Sequence, residues 1–247
     1  MSAVKIQFLG SGDAFGSGGR LQTCIYVESD SMPFLLDCGT TALIGRKRWV
    51  VNPSLVETIL VTHLHGDHFG GLPFFILDAQ FNARRTQPLI IAGPPGLETR
   101  VRQAMEVFFP GSSLQTQRFK LEFIEMPERV STSVNGLTVT PFAVVHASGA
   151  PAYALRVECQ GKTIAYSGDT EWTEALLEVA TGADLFISEA YFLEKRVRYH
   201  LDYRTLLSHR KDLNCRRLIV THLHTDMLGR LAEIDVEVAE EGAVISL

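Results

Sequence analysis

The chain has 247 residues, 46% of them hydrophobic and 21% charged, and Lys+Arg 23 against Asp+Glu 28 gives a net charge of −5. That is enough apolar chain to bury a core without disulfide or metal staples, and the acidic balance excludes a dedicated nucleic-acid coat or membrane-surface binder, whose footprint is basic. Cys24, Cys38, Cys159 and Cys215 form no Cys-x-x-Cys pair, which excludes a zinc ribbon or redox motif. MSAVKIQFLGSGD has no secretory pattern, and no apolar run reaches the ~18 residues of a membrane span, so a cytoplasmic protein is expected.

In chain order, β-branched or apolar runs predict strands over 4–9, 22–28, 33–37, 58–62, 88–92, 118–124, 137–145, 152–158, 162–167, 183–188, 217–221 and 243–246. Helical patterns fall near 40–48, 68–83, 95–109, 172–181 and 202–213. Gly161 in ECQGKT is a turn residue between two strands. No linker or low-complexity block divides the chain, so residues 1–247 are expected to form one domain. Strands grouped first, followed by strand–helix alternation, predict an α/β (α+β) architecture of two mixed sheets packed face to face with helices outside.

One echo crosses the halves: ILVTHLHGDH (59–68) returns as LIVTHLHTDM (218–227). Each copy is an apolar strand running into a polar loop, which fits two related half-sandwiches. His68 of the first copy is Met227 in the second, so the two loops cannot bind metal identically.

The strongest chemical signal is His63-Leu64-His65-Gly66-Asp67-His68 at the end of a predicted strand. Neutral imidazole nitrogens and a hard carboxylate suit zinc, manganese or iron. His63 and His65 can point to one side of an extended segment while Asp67 and His68 turn to the other, so one loop can feed two ions. Two ions need further ligands, and the candidates are His146, Asp169, His200, His222 and His224, several of them at strand ends.

With these residues in view, the chain resembles the metallo-β-lactamase fold superfamily, and more narrowly its ribonuclease Z-like phosphodiesterase branch. The resemblance runs through FLGSGDAFGSGGR (8–20), LLDCGT (35–40), THLHGDHFGGLP (62–73), the His146 loop, YSGDT (166–170), ISEAYF (187–192) and THLH (221–224). It implies a four-layer αββα sandwich binding two divalent ions, zinc before manganese or iron. Carried over by position, it implies that His63, His65 and His146 bind one ion, that Asp67, His68 and His222 bind the other, and that Asp169 bridges them. It also implies that His200, oriented by Glu189, assists the leaving oxygen, and that Asp67 doubles as an orienter of the nucleophile. His65 in place of Glu disfavours the diiron oxygen reductases, and His68 sets the chain apart from zinc β-lactamases that use a Cys ligand. No long insertion separates Asp169 from His222, which argues against the β-CASP nucleases.

Ribonuclease Z enzymes that process tRNA can carry a long clamp arm near the stretch between His146 and Asp169. Here ALRVECQGKTIAYS is a plain hairpin pattern. A small phosphodiester, cyclic nucleotide or short nucleic-acid end is therefore the expected substrate, with no stable nucleic-acid partner and no membrane. The alternatives are tRNA 3′ processing, thioester or lactone hydrolysis on the same fold, and a metal-retaining sensor or partner protein. Lys195, Arg196 and Arg198 are candidate phosphate contacts or a solvated face. His224 is either a site residue or a turn residue, and His209 is a surface residue. FGGLPFFILDAQF (69–81) is core, pocket wall or homodimer surface. GSGDAFGSGG (10–19) lacks the Gly-Lys-Ser/Thr ending of a P-loop, so its glycines are turn residues near the metals. Asp37 is expected to support that loop, and Cys38 to be buried.

Overall fold

The computed structural model describes residues 4–29, 32–49 and 56–247. The first half supplies β1 (Lys5–Gly10), β2 (Cys24–Glu28), β3 (Phe34–Leu36), α1 (Ala42–Arg48), β4 (Thr58–Leu60), α2 (Gly66–Phe69), α3 (Leu72–Leu77), β5 (Leu89–Gly93), α4 (Leu97–Phe108) and β6 (Leu121–Glu125). The second supplies β7 (Thr132–Val134), β8 (Leu137–Ala143), β9 (Tyr153–Cys159), β10 (Lys162–Tyr166), α5 (Ala175–Ala180), β11 (Leu185–Glu189), α6 (Tyr203–Ser208), β12 (Leu218–Thr221), α7 (Thr225–Leu228) and β13 (Glu237–Val238). Then β14 (Val244–Ser246) returns to the first sheet. The sheet orders are β14-β1-β2-β3-β4-β5-β6 and β13-β12-β11-β10-β9-β8-β7. Each is antiparallel over its early strands and parallel from β3 to β6 or from β10 to β13.

Both faces of these strands are apolar, because both are covered. Successive side chains point to opposite faces. Ile6 and Phe8, Ile25 and Val27, and Phe34 and Leu36 therefore meet Leu155, Val157, Ile164, Tyr166, Leu185 and Ile187 of the other sheet. Leu9, Tyr26 and Leu35 alternate outward, under a layer that includes Leu72, Phe75 and Ile76 of α3 and Val101 and Met105 of α4. On the far side Ala165, Phe186 and Val220 meet Leu176 and Val179 of α5 and Leu206 of α6. The result is the expected four-layer αββα sandwich.

Local chemistry explains where the structure departs from the sequence expectation. The pattern over 68–83 is not one helix: α2 stops at Gly70 and Gly71, α3 starts with Pro73 in its first turn, and Asp78–Asn82 forms a π-helical turn. Its apolar side chains are mostly core, with Phe69, Leu72, Phe75, Ile76 and Ala79 buried and Phe81 exposed. The helix expected over 202–213 ends at Ser208. The hairpin at Gln160-Gly161 has positive φ at both turn residues, as a tight turn between twisted strands requires. The same device at Asn135-Gly136 joins β7 to β8, a hairpin that the sequence reading missed although Asn-Gly signals it. The echo also differs from the half-sandwich reading. β4 lies directly beside β3, at the edge of its antiparallel block, whereas β11 separates β12 from the corresponding block. The two copies are not equivalent strands.

Close packing fixes the metal-loop candidate against the end of β3. Cys38 N donates to His68 O (2.6 Å), and Gly71 N donates to Cys38 O (2.8 Å). A Cβ at Gly71 would sit 2.1 Å from Gly39 O, and one at Gly39 would sit 2.3 Å from Asp67 O, whereas one at Gly66 would meet nothing within 4 Å. Gly71→Ala should therefore destabilise the fold by roughly 1–3 kcal/mol, the cost of overpacking. Gly66→Ala, in a helix that favours alanine, should cost nothing. Urea unfolding midpoints of the two variants check this, and equal midpoints would contradict it.

Candidate metal centre

Strands ending at one edge of the sandwich bring the chemistry together. His63–His68 follow β4, His146 follows β8, Asp169 follows β10, Glu189 ends β11 and His222 follows β12. His63, His65 and His146 form one group of potential ligands, and Asp67, His68, Asp169 and His222 a second. The loop after β4 thus divides between the two groups as alternation suggests. His65, at the N-cap of α2, keeps its Nδ1 2.9 Å from His146 Nε2. Asp169 Oδ1 lies 3.2 Å from His68 Nε2, and Asp169 Oδ2 lies 3.5 Å from His222 Nε2 and 3.9 Å from both His63 Nε2 and His146 Nε2. Asp67 Oδ2 stands 3.4 Å from His68 Nε2 and 3.3 Å from His222 Nε2. Ligands at ~2.0–2.1 Å on a tetrahedral ion are roughly 3.3 Å apart, so this spacing fits donors that share ions.

The hydrogen bonds behind the rings set which nitrogen faces inward. Asp37 is fully buried with φ 58, and it accepts from Thr62 N (2.8 Å), from Thr62 Oγ1 (2.9 Å) and from His68 Nδ1–H (2.7 Å). Because the Thr62 hydroxyl spends its proton on Asp37, His63 Nδ1–H donates to Thr62 Oγ1 (3.0 Å). His146 Nδ1–H donates to Tyr199 O (2.8 Å), and Tyr199, at φ 71, is held by its own N–H donating to Glu171 Oε1 (2.7 Å). The Nε2 lone pairs of His63, His68 and His146 are thereby directed at the centre.

The donor atoms fit metal ions. Among the described residues, His63 Nε2, His68 Nε2 and Asp169 Oδ1 are buried with charged neighbours but without a well-formed hydrogen bond, an arrangement that a shared cation would complete. Burial, with His68 close by, holds His63 well below the usual imidazole range, so it is a neutral donor. Burial also opposes charge on His68, but Asp169, Asp67 and Asp37 outweigh it and push His68 well above that range. His222 rises likewise against burial, chiefly through Asp169 and Asp67. Burial disfavours the charge of Asp67, yet His68 and His222 hold its carboxyl far below the carboxylate range. The carboxylates demand positive charge, which either protons or divalent ions supply.

His200 and Glu189 lie beside this centre. His200 Nδ1–H donates to Glu189 Oε1 (2.5 Å), and Glu189 Oε2 accepts from Thr170 N (2.9 Å) and Leu201 N (3.2 Å). The His200 ring stacks parallel to that of His222 at 6.0 Å, with Tyr191 at 4.6 Å. His224 instead caps α7, its Nδ1 accepting from Asp226 N (3.1 Å), and His209 stacks on Trp172 at 3.8 Å. Lys195 lies over the Phe192 ring and Arg198 over that of Tyr199, while Arg196 is mostly exposed near Asp202. Thr62, Glu171 and Tyr199 escaped the sequence reading. Thr62 recurs as Thr221 in the echo, which was a usable signal, but Tyr199 acts through its carbonyl and leaves none.

A model of the Anti-Pycsar protein Apyc1 family matches residues 4–230. The chain belongs to that family. Ribonuclease Z of Anoxybacillus flavithermus is 25% identical over 295 residues, covering 96% of this chain and 92% of that protein. That alignment is longer than the 247 residues of this chain, so the relative carries segments that this Apyc1-family chain lacks. The metallo-β-lactamase fold protein YhfI from Bacillus subtilis superposes with a TM-score of 0.80 at 20% identity, covering 100% of both chains. Human tRNase Z, short form, superposes at 0.76 with 22% identity over 98% of each chain. The Apyc1-family chain thus has the metallo-β-lactamase fold and lies in its ribonuclease Z-like branch, and it is a metal-dependent hydrolase whose His and Asp clusters suit a dinuclear site.

Asp37 ties two of the inward-facing imidazoles to one carboxylate. Asp37→Ala should lower affinity for divalent ions by roughly 10–100-fold. Chelator competition on the purified protein measures it, and unchanged affinity would show that Asp37 serves packing alone.

Proposed function

We propose that this chain is a dinuclear metal-dependent phosphodiesterase of the cytoplasm, with residues 1–247 as one hydrolase domain. Its substrate is a small phosphodiester, a cyclic nucleotide or a short nucleic-acid end. In this reading His63, His65 and His146 hold one ion, Asp67, His68 and His222 the other, and Asp169 bridges them. Zinc suits the imidazole-rich donor set best. The observation that carries the reading is the Asp169 carboxylate, which approaches ligands of both groups while His200 and Glu189 stand alongside.

Two ions held by these residues would supply Lewis-acid charge for the phosphoryl oxygens and would lower the pKa of a water molecule towards neutrality. The chain does the rest. Asp67 orients the attacking water. Glu189 fixes the His200 Nδ1–H, so a proton on Nε2 passes to the leaving oxygen as its bond to phosphorus breaks. Burial of the carboxylates and imidazoles keeps competing water from the ligands.

The small-substrate reading rests on charge and length. Gripping a folded tRNA needs many Lys and Arg contacts, whereas the net charge is −5 and the alignment with ribonuclease Z runs past the length of this chain. Gln160-Gly161 closes β9 and β10 as a tight hairpin where an arm would otherwise extend.

Metal-loaded protein should hydrolyse bis-p-nitrophenyl phosphate and cyclic nucleotides at ~150 mM salt, and lose this activity with chelator. Site-specific removal of a pre-tRNA 3′ trailer without turnover of small diesters would restore the processing nuclease. Thioester or lactone turnover alone would move the chain to another reaction class. A second measurement isolates His200. His200→Ala should lower kcat by roughly 10²–10⁴-fold for diesters with alkoxide leaving groups, and far less for p-nitrophenolate, which needs little protonation. An equal loss on both would give His200 a different role.

A further inference from the structure

The turn between β1 and β2 does something the metal centre does not require. Phe15 stands at its tip with 82% of its surface exposed, and no aromatic ring packs on it among the described residues. A single exposed apolar side chain is ordinary, but this one is held out by a built turn. Asp13 is fully buried and holds that turn with its carboxylate, accepting from Phe15 N (3.1 Å), Ser17 N (2.9 Å) and Ser17 Oγ (2.7 Å). Gly16, Gly18 and Gly19 all take positive φ around it.

The turn is also tied to both loops of the second ligand group. On one side Ser11 O accepts His222 N (3.1 Å), and Gly18 comes so close to α7 that a Cβ there would lie 2.6 Å from Leu228 Cδ1. On the other, Gln22 Nε2 donates to Ala14 O (3.1 Å) while Gln22 Oε1 accepts from Thr40 N (2.9 Å). Thr40 adjoins Gly39, whose backbone abuts Asp67 O. The turn that carries Phe15 is therefore anchored on one side to the segment that abuts the Asp67–His68 loop and on the other to the His222 loop.

We propose that Phe15 is a stacking platform for the nucleobase of a nucleotidic phosphodiester bound at this centre, an inference that rests on the phosphodiesterase reading above. The phosphoryl group takes the polar, charged floor, and the remaining recognition falls to the rim. An aromatic face on a turn so anchored favours a flat π-system over an alkyl or glyceryl ester, and it accepts any base because every base has a π-face. Ordering the backbone beneath the ring beforehand spares the ordering cost of a mobile loop.

The experiment compares thymidine 5′-(p-nitrophenyl phosphate) with methyl p-nitrophenyl phosphate, which share a leaving group and differ in having a base. In Phe15→Ala the KM for the thymidine ester should rise about 5- to 100-fold, and the methyl ester should change by less than about two-fold. Phe15→Trp should keep the thymidine ester at its original KM, and Phe81→Ala, removing an exposed Phe elsewhere, should alter neither substrate. Equal losses on both esters, no loss on either, or a change of oligomeric size accompanying the loss would overturn the platform. If the unaltered protein turns over neither ester, the phosphodiesterase reading fails by itself. Calorimetric titration of the same variants with a cyclic nucleotide then decides the platform, and equal affinities would overturn it.

Discussion

Carboxylates and imidazoles are expensive to take out of water, and the edge where the two sheets meet buries Asp37, Asp67, Asp169 and Glu189 together with His63, His68 and His222. Such a set persists only when its charges are matched and its hydrogen bonds are assigned. The backs of the rings meet Asp37, Thr62, Tyr199 O and Glu189, so their orientation is decided within the protein. Their inner faces keep buried atoms without a hydrogen bond among the described residues. The unmatched side is the one on which the potential ligand groups converge, and much of the local architecture supports it.

That support explains features that otherwise look like local irregularity. Asp37, Tyr199 and His222 all hold positive φ without being glycine, and each either directs an imidazole or is one. Strain of this kind persists where surrounding bonds over-determine it. At Asp37 those bonds run to Thr62 and His68, at Tyr199 to Glu171 and His146, and at His222 to Ser11. Gly39 and Gly71 serve the same end by letting the β3 end and the ligand loop touch backbone to backbone.

The sandwich gives these loops a common edge. Parallel pairing from β3 to β4 and from β10 through β12 sends successive strand ends the same way. The β8–β9–β10 meander returns β8 to that direction, which brings His146 to the same edge. A fold with this edge hosts many chemistries, and what distinguishes one member is the rim rather than the floor. Here the turn after β1 holds an exposed Phe15 and bonds to the His222 loop, while the Gln160-Gly161 hairpin closes the far ends of β9 and β10.

The sequence by itself determined the layers and the donor set. Alternating apolar residues on strands covered on both faces gave the sandwich, and His63–His68 carries the residue types of a metal loop wherever a fold leaves it at a strand end. His146, Asp169, Glu189, His200 and His222 were legible through resemblance and residue type, since their chemistry is carried by side chains. Tertiary structure alone decided which imidazole nitrogen faces the centre, because that depends on partners such as Asp37 and the Tyr199 carbonyl, far away in the chain. It likewise turned His224 to capping α7, although the echo sets it opposite His65: both precede a helix, but His65 Nδ1 meets His146 Nε2 whereas His224 Nδ1 accepts from Asp226 N. The break of the 68–83 pattern at Gly70 and Gly71 was also a tertiary decision: the glycines are there to let the β3 end approach, and no local periodicity encodes a contact with a distant segment.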